Sequence, residues 1–345
     1  MDVFLSILPK RKQKFIYASE LYCLTATANK GANKLIQLSD LKELPNNPFK
    51  ENAHLDANIL KKIARTKDVI CITSPQSRFI YKTKIDPKIK SKGIQGLTYL
   101  LKERFSIDLK NNRIAVLDAT TGNEIKESTK EIPNHLCFVG AQKQNIQSIQ
   151  NELITHQCIP QKLFLSTLSN IKGFLAYLEH IKNKAPVLFI DFSIDHSLIF
   201  MLYNNQLAAT YPPVCGLKNL INLTRKSCNL PDDISTYKYI TQSLADDVQG
   251  KESVMQRMYT DIKSYIDFFE VQAGAPIEAL YVQGLTPSLE WIFNYLSQKL
   301  ELPPLQINFD TWLKDQIQIP SDKQQVQITK PLWVGMINAI LNYYK

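Results

Sequence analysis

The sequence predicts an α/β fold that is large enough for two domains along the chain. Its 345 residues are enough for two domains that each bury a sizeable core. Short apolar runs of strand length alternate with segments of helical periodicity over the whole length. Residues 185–211 contain three apolar runs separated by turns, and we predict that this pattern opens the second half.

The three apolar runs of this opening pattern are residues 187–190, 197–203 and 206–211. Asp191 ends the first run, and a short turn of small and apolar residues leads into the second. Asn204-Asn205 reverses the chain between the second and third runs, because asparagine tolerates the positive φ that a tight hairpin requires. We therefore predict a strand, a turn, a strand, a hairpin and a strand.

Apolar periodicity predicts the elements of the first half in order. Short apolar or alternating runs predict strands at residues 15–17, 22–26, 34–38, 68–73, 78–85, 113–118 and 135–140. Apolar residues at helical spacing predict helices at residues 54–64, 92–104, 143–156 and 168–181.

The second half continues with a group of helices. The pattern predicts helices at residues 217–228, 231–244, 251–273, 288–300 and 331–343, with a strand at 279–284 before the last two. The longest of them has one apolar stripe, which consists of Val254, Met258, Ile262, Tyr265 and Phe269.

Composition excludes several classes of protein. With 44% hydrophobic and 21% charged residues, the chain is typical of a globular protein. No apolar stretch reaches the roughly 18 residues that a membrane-spanning helix needs. The N-terminus places apolar residues before a basic run, which is the reverse of a signal peptide.

The net charge of +9 admits nucleic acid, anionic lipid or an acidic partner. The lysines are spread along the whole chain and no nucleic-acid motif is recognisable, so we do not expect nucleic acid. Residues 10–14 form a basic run behind the apolar residues 4–8. This arrangement predicts at most a peripheral contact with an anionic membrane surface.

The cysteines and histidines give no sign of a metal site. The six cysteines include no CxxC pair, and the five histidines share no metal-ligand spacing. Several cysteines sit inside apolar runs, which is typical of buried, reduced thiols in a cytoplasmic protein.

Several motifs, together with this order of elements, resemble actin-like proteins. The motifs are residues 69–75 (VICITSP), 137–143 (CFVGAQK), 211–216 (YPPVCG), 265–274 (YIDFFEVQAG), 280–284 (LYVQG) and 331–341. Within that class the chain resembles PilM-like proteins of type IV pilus assembly. It is also similar to the cytoplasmic region of GspL of type II secretion. The resemblance covers almost the whole chain as an order of elements.

The resemblance implies a duplicated βββαβα fold of the actin-like, ribonuclease H-like type. The first half would comprise residues 1–182, with a small subdomain inserted at about 75–133. The second half would comprise residues 183–345, with a helical insertion at about 215–275 and a terminal helix at 331–343.

An actin-like nucleotide site needs glycine turns, because backbone N–H groups must approach the phosphates closely. By the resemblance, the three turns of such a site fall at Ser19, at Asp191 with Ser193, and at Gly284. The first turn lacks the expected aspartate and glycine, and Ser193 stands where the second turn would have glycine. Gly284 is kept, but the glycine run after it is missing. The resemblance therefore implies a degenerate site with no catalytic residue, metal or cofactor.

Two interpretations of Asp191 stay open. It is either a relic of the Mg²⁺ side of such a site or a strand-end aspartate that accepts backbone hydrogen bonds in a tight turn. A sugar-kinase-like enzyme would need a catalytic aspartate and an intact first turn. Asp191 is the candidate for that role, but the first turn is absent.

In PilM-like proteins, a groove beside the inserted subdomain takes the short N-terminal tail of the membrane protein PilN. The resemblance implies such a groove here, lined by Ile94, Leu97, Tyr99, Leu101 and Phe105. The alternative is that these residues only pack their helix on its own sheet. The implied partners are a PilN-like, or GspL- or GspM-like, inner-membrane assembly protein, the assembly ATPase and a second copy of the chain.

The resemblance thus implies a non-catalytic cytoplasmic scaffold that its partners hold beneath the inner membrane. The alternative within the same machinery is a nucleotide-switched actin-like ATPase, which would use ATP and Mg²⁺. An unrelated α/β protein also stays open, because the resemblance rests on short motifs.

Overall fold

The computed structural model describes residues 12–31, 34–45, 68–125, 132–155, 157–242, 251–318 and 330–344. The strands are β1 (Gln13–Ala18), β2 (Tyr22–Lys30), β3 (Ile36–Pro45), β4 (Asp68–Thr73), β5 (Phe79–Lys84), β6 (Asn112–Asp118), β7 (His135–Gln142), β8 (Ile159–Leu165), β9 (Val187–Asp191), β10 (His196–Tyr203), β11 (Gln206–Thr210), β12 (Val214–Cys215), β13 (Ala279–Gln283) and β14 (Ile317–Gln318). The helices are α1 (Pro87–Lys90), α2 (Gly93–Phe105), α3 (Lys143–Thr155), α4 (Ser166–His180), α5 (Leu217–Ser227), α6 (Asp233–Gln242), α7 (Lys251–Ala273), α8 (Glu290–Leu300), α9 (Phe309–Leu313) and α10 (Val334–Tyr344). The predicted helix at 54–64 and most of the N-terminal apolar and basic segment lie outside the described residues.

The first half is built on a six-stranded sheet with the strand order β14-β3-β2-β1-β4-β8. β1, β2 and β3 pair antiparallel, whereas β4 and β8 add to β1 in parallel. The side chains of β1 alternate between two apolar cores, with Phe15 and Tyr17 in the main core and Ile16 and Ala18 in a smaller one. The predicted strands of this half are confirmed.

The second half repeats the start of the first. Its sheet has the order β11-β10-β9-β13, and β12 pairs with the other end of β10. The hairpin between β10 and β11 has positive φ at Asn204 (52°) and Asn205 (56°), which confirms the predicted turn. The buried stripe of α7 contains Met258, Ile262 and Phe269, while the predicted members Val254 and Tyr265 lie at its partly buried edge.

A separate three-stranded sheet, β5-β7-β6, forms the small subdomain. α2 covers this sheet, and the core between them includes Leu97, Leu101 and Phe138. The predicted end of the insertion at residue 133 is wrong. β7 is the central strand of this sheet, paired with β5 on one side and β6 on the other, so the subdomain continues to Gln142.

The terminal helix α10 belongs in space to the first half, which corrects the prediction that residues 183–345 form the second half alone. Tyr343 packs edge-on against Phe15 with ring centroids 5.7 Å apart, and Tyr344 Oη donates to Ala28 O at 2.5 Å. A side chain at Gly335 would collide with Asn170 and Tyr17, so α10 lies very close to α4 and β1. β14 also returns to the first sheet by pairing with β3.

Within the described ranges, no helix is both long and apolar enough to span a bilayer. In the same ranges, no group of three or more His, Cys, Asp or Glu side chains is placed to hold a metal ion. The thiols of Cys23, Cys71, Cys137 and Cys158 are buried, and burial raises the pKa of each.

Candidate functional site

The turns predicted to form a nucleotide site lie together in the cleft between the two halves. β1 and β9 end at this cleft, and parallel pairing of β9 with β13 places Gly284 beside the turn that follows Asp191. Phe192 N donates to Gln283 O at 2.8 Å and thereby joins the second turn to the strand before Gly284. Ser19 Oγ accepts the N–H of Leu21 at 3.2 Å and so stabilises its own turn.

Arg78 occupies the centre of this cleft. It follows the loop after β4, and its side chain is only 2% exposed. Its Nη2 lies 3.3 Å from Asp191 Oδ2, and its Nη1 lies 3.9 Å from Glu20 Oε1. Nε also donates to Thr167 Oγ1 at 2.9 Å. The guanidinium thus stands between a carboxylate of each half.

Asp191 is surrounded by protein donors. Besides Arg78, the hydroxyl of Thr167 donates to Oδ2 in a short hydrogen bond, and Asn170 Nδ2 lies 3.5 Å from Oδ1. Asn170 in turn donates to Tyr17 Oη at 3.0 Å. These donors belong to the first half, so the predicted strand-end aspartate is held mainly from across the cleft.

Glu20 supplies a second contact across the cleft. Its Oε2 accepts the backbone N–H of Ile194, in the turn after β9, at 2.7 Å. In a phosphate-binding turn, a backbone N–H at such a place faces a phosphate oxygen. Here the carboxylate of the first half takes that N–H instead.

The electrostatics of the cleft follow from burial and pairing. Burial raises the pKa of Glu20, although the Arg78 guanidinium and the Ile194 N–H oppose this effect. Burial alone would lower the pKa of Arg78, but the carboxylates of Asp191 and Glu20 outweigh it and raise that pKa. Burial, with the nearby Asp191 carboxylate, also raises the pKa of Tyr17 to about 12.

Ser193 and Gly284 serve the backbone of the cleft. Ser193 Oγ donates to His196 O at 2.6 Å, a bond inside its own turn. Gly284 has φ of 99°, a conformation that side chains rarely adopt, and an added Cβ would collide with Phe192 O. Glycine is therefore required at 284 by the close approach of the two turns.

A cavity of about 350 Å³ opens beside Gly284. Its wall is mostly apolar and includes Phe293, Leu305, Ile307 and Leu332. Lys330 also lines it, but its Nζ lies 2.7 Å from Glu43 Oε2 and is therefore already paired.

The five residues predicted to line a peptide groove do not form one surface. Leu97 and Leu101 are buried in the core of the small subdomain, and Phe105 is half-buried and stacks on Tyr81 at 4.6 Å. Ile94 and Tyr99 are 55% and 64% exposed. The predicted groove is therefore wrong for the buried residues, because α2 uses its apolar stripe to cover its own sheet.

A second cavity, also of about 350 Å³, lies between the small subdomain and the second half. It is lined by Phe79 and Tyr81 of β5 on one side and by His196, Phe200 and Tyr211 of the second half on the other. Lys82 N donates to Thr210 Oγ1 at 3.0 Å and closes one end of the gap between β5 and β11. We call this space the β5 cavity. The sequence pattern gave no indication of it, because its walls are far apart in the chain.

The two half-sheets, the cleft between them and the inserted subdomain form an actin-like fold, which confirms the predicted fold class. The chain superposes on a chain of the PilM-PilN type IV pilus biogenesis complex with a TM-score of 0.71. The two share 14% sequence identity, and the match covers 98% of this chain and 100% of that one. The predicted resemblance to PilM-like proteins is thus confirmed at the level of fold.

Two other solved structures are less similar to this chain. A Bacteroides thetaiotaomicron protein with an actin-like ATPase fold and unknown function has a TM-score of 0.45 and 10% identity, over 91% of this chain and 98% of that chain. The cytoplasmic domain of EpsL, from the type II secretion system of Vibrio cholerae, has 0.36 and 12%, over 84% and 95%. No protein-family model and no curated protein sequence matches the chain.

Proposed function

We propose that the chain is a non-catalytic cytoplasmic scaffold of a type IV pilus or type II secretion platform, which binds a short tail of a PilN-like membrane partner. The observation that carries this proposal is the occupation of the cleft by the chain's own charges. Arg78 stands beside Asp191, and Glu20 takes the turn N–H of Ile194.

This arrangement does not suit ATP hydrolysis. A triphosphate needs backbone N–H donors and a carboxylate that is available to hold Mg²⁺ through water. Here Asp191 is paired with Arg78, and the Glu20 carboxylate would repel a phosphate placed at Ile194. Binding would first require the removal of a buried charge from its partners, which is costly.

The similarity in fold to a chain of the PilM-PilN complex supports a PilN-like partner. For a short tail of that partner, the β5 cavity is a better candidate groove than the face of α2. Ile85 N donates to Asn134 O, which shows that the backbone groups of Ile85 face the side of β7. Lys82 N donates to Thr210 Oγ1, on the opposite side of β5. Strand alternation therefore turns the N–H and C=O of Ile80 outward as well, toward the cavity. An extended peptide could add to this edge by main-chain hydrogen bonds. Binding of the assembly ATPase and self-association remain part of the proposal without a surface assigned to them.

One observation favours the alternative of a nucleotide-switched ATPase. The apolar cavity beside Gly284 has the size and the lining that suit a planar ring. A base could enter it even though the phosphate turns are occupied.

Calorimetric titration with ATP and Mg²⁺, and separately with PilN-like tail peptides, tests the proposal. We expect no heat up to millimolar ATP and saturable binding of a tail peptide. Tyr211 lies in the wall of the β5 cavity, so its replacement by alanine should lower the affinity for the peptide. Replacement of the exposed Tyr99 by alanine should leave that affinity unchanged. Micromolar ATP binding would favour the ATPase instead.

A further inference from the structure

We propose that Arg78 is an internal cross-link that holds the two halves at a fixed angle, and that its pocket is specific for a guanidinium ion. The inference concerns the cleft on which the proposed function rests, but it needs neither the partner nor its tail. It gives the buried Arg78 a structural role, which does not depend on any nucleotide.

The geometry places Arg78 at the centre of the contacts that cross the cleft. Its Nε and Nη1 bond to Thr167 and to Pro75 O on the side of the first half, while Nη2 bonds to Asp191 of the second half. A planar guanidinium satisfies these directions together, whereas an ammonium ion has no such fork. The side chain therefore bridges the halves through bonds that fix their separation.

Burial makes this bridge hard for water to replace. The side chains of Arg78, Asp191 and Glu20 are 2%, 5% and 9% exposed. Glu20 Oε1 is buried and has no hydrogen-bond partner among the described residues, so the nearby guanidinium is the charge that compensates it. Without Arg78, the buried carboxylates of Glu20 and Asp191 would have no compensating cation, and the cost of keeping them away from water would favour opening of the cleft.

The same residue connects the cleft to the β5 cavity. Arg78 directly precedes β5, and Ser77, Arg78 and Phe79 all line that cavity. The cross-link therefore also holds one wall of the cavity in place.

Amide hydrogen exchange reports how often the contact across the cleft opens. The Ile194 N–H donates across the cleft to Glu20, whereas the Phe192 N–H donates to Gln283 inside the second half. In Arg78→Met, we expect exchange at Ile194 to rise by about tenfold or more relative to Phe192. If the exchange rate of Ile194 relative to Phe192 were the same in Arg78→Met as in the parent, the proposed cross-link would be wrong.

Chemical rescue tests the pocket. In Arg78→Ala, we expect millimolar methylguanidinium to raise the melting temperature and to slow exchange at Ile194, whereas methylammonium at the same concentration does neither. Arg113→Ala, at an exposed position on β6, should respond to neither ion. Equal effects of both ions on Arg78→Ala would show that no guanidinium pocket exists.

A third variant keeps the inference testable where Arg78→Ala does not fold. Glu20→Gln, Arg78→Met and Asp191→Asn combined remove the buried charges together, which is often tolerated. We expect this protein to fold, to exchange rapidly at Ile194 and to ignore methylguanidinium. Protection at Ile194 equal to the parent's would refute the cross-link, and ATP binding by the parent would refute only the proposed function.

Discussion

The buried ion pair of Arg78 and Asp191 makes a quantitative prediction through a double-mutant cycle. Arg78→Met leaves the carboxylates of Asp191 and Glu20 buried without their cation. Asp191→Asn removes one of these charges and keeps the shape that Thr167 and Asn170 contact. Once Arg78 is gone, the charge of Asp191 becomes a liability, so Asp191→Asn should then cost little or even stabilise the protein.

The magnitude follows from burial. Removal of one partner from a buried pair costs about 3–5 kcal/mol, so we expect that for Arg78→Met. Asp191→Asn alone leaves Arg78 with Glu20 and should cost about 1–3 kcal/mol. The double variant should cost less than the sum of the two single variants by about 1–3 kcal/mol.

Urea unfolding of the four proteins measures this coupling energy. The exposed pair of Lys263 and Asp267 on α7, with 2.8 Å between Nζ and Oδ1, is the matched control. Its side chains are 46% and 58% exposed, so the cycle of Lys263→Met with Asp267→Asn should give a coupling below about 0.5 kcal/mol. Additivity within about 0.5 kcal/mol at the Arg78 pair would refute the argument.

Three further predictions concern the backbone, the small subdomain and pH. Gly284→Ala should destabilise the protein by more than about 1 kcal/mol in thermal unfolding, because φ is positive and the new Cβ would meet Phe192 O. Gly122→Ala, with positive φ but open space, should cost less, and equal losses would contradict the role of the close approach. Leu101→Ala should cost about 2–5 kcal/mol and the exposed Ile94→Ala close to nothing, whereas the reverse order would mean that α2 packs on its other face. Burial and the charge of Arg78 lower the pKa of His196, so the unfolded chain binds the proton first and stability should fall as the pH drops below about 6.5. His196→Asn should flatten that slope, and an unchanged slope would assign it to other groups.

Most of the elements could be predicted from the sequence because they depend on local chemistry. The strand at residues 68–73 ends where its apolar run ends, and the hairpin forms where two asparagines accept positive φ. The expectation that Asp191, Ser193 and Gly284 lie near one another came from the resemblance to actin-like proteins, and the structure places the turns that hold them side by side.

The errors arose where a pattern predicts an element but not what covers it. The stripe of α2 is equally compatible with a groove and with packing on a sheet, and the structure packs it. β7 has the pattern of any buried strand, so its place in the small sheet depends on its pairing with β5 and β6. The terminal helix α10 follows the second half in the chain but packs on the first, because its apolar surface matches that of α4 and β1.

The sequence by itself determined the order of the elements and, through the resemblance that this order and the motifs carry, the class of fold. It also showed that three turns lack most of the glycines that the resemblance would place there. These features follow from the periodicity of apolar residues and from the conformations that single residues allow. Only the tertiary structure decided which side chains contact those turns. Arg78 and Asp191 are 113 residues apart and Glu20 and Ile194 are 174 apart, so no local pattern relates them. Their pairing arises because folding excludes water from the cleft, and a buried charge must then find its partner in the protein.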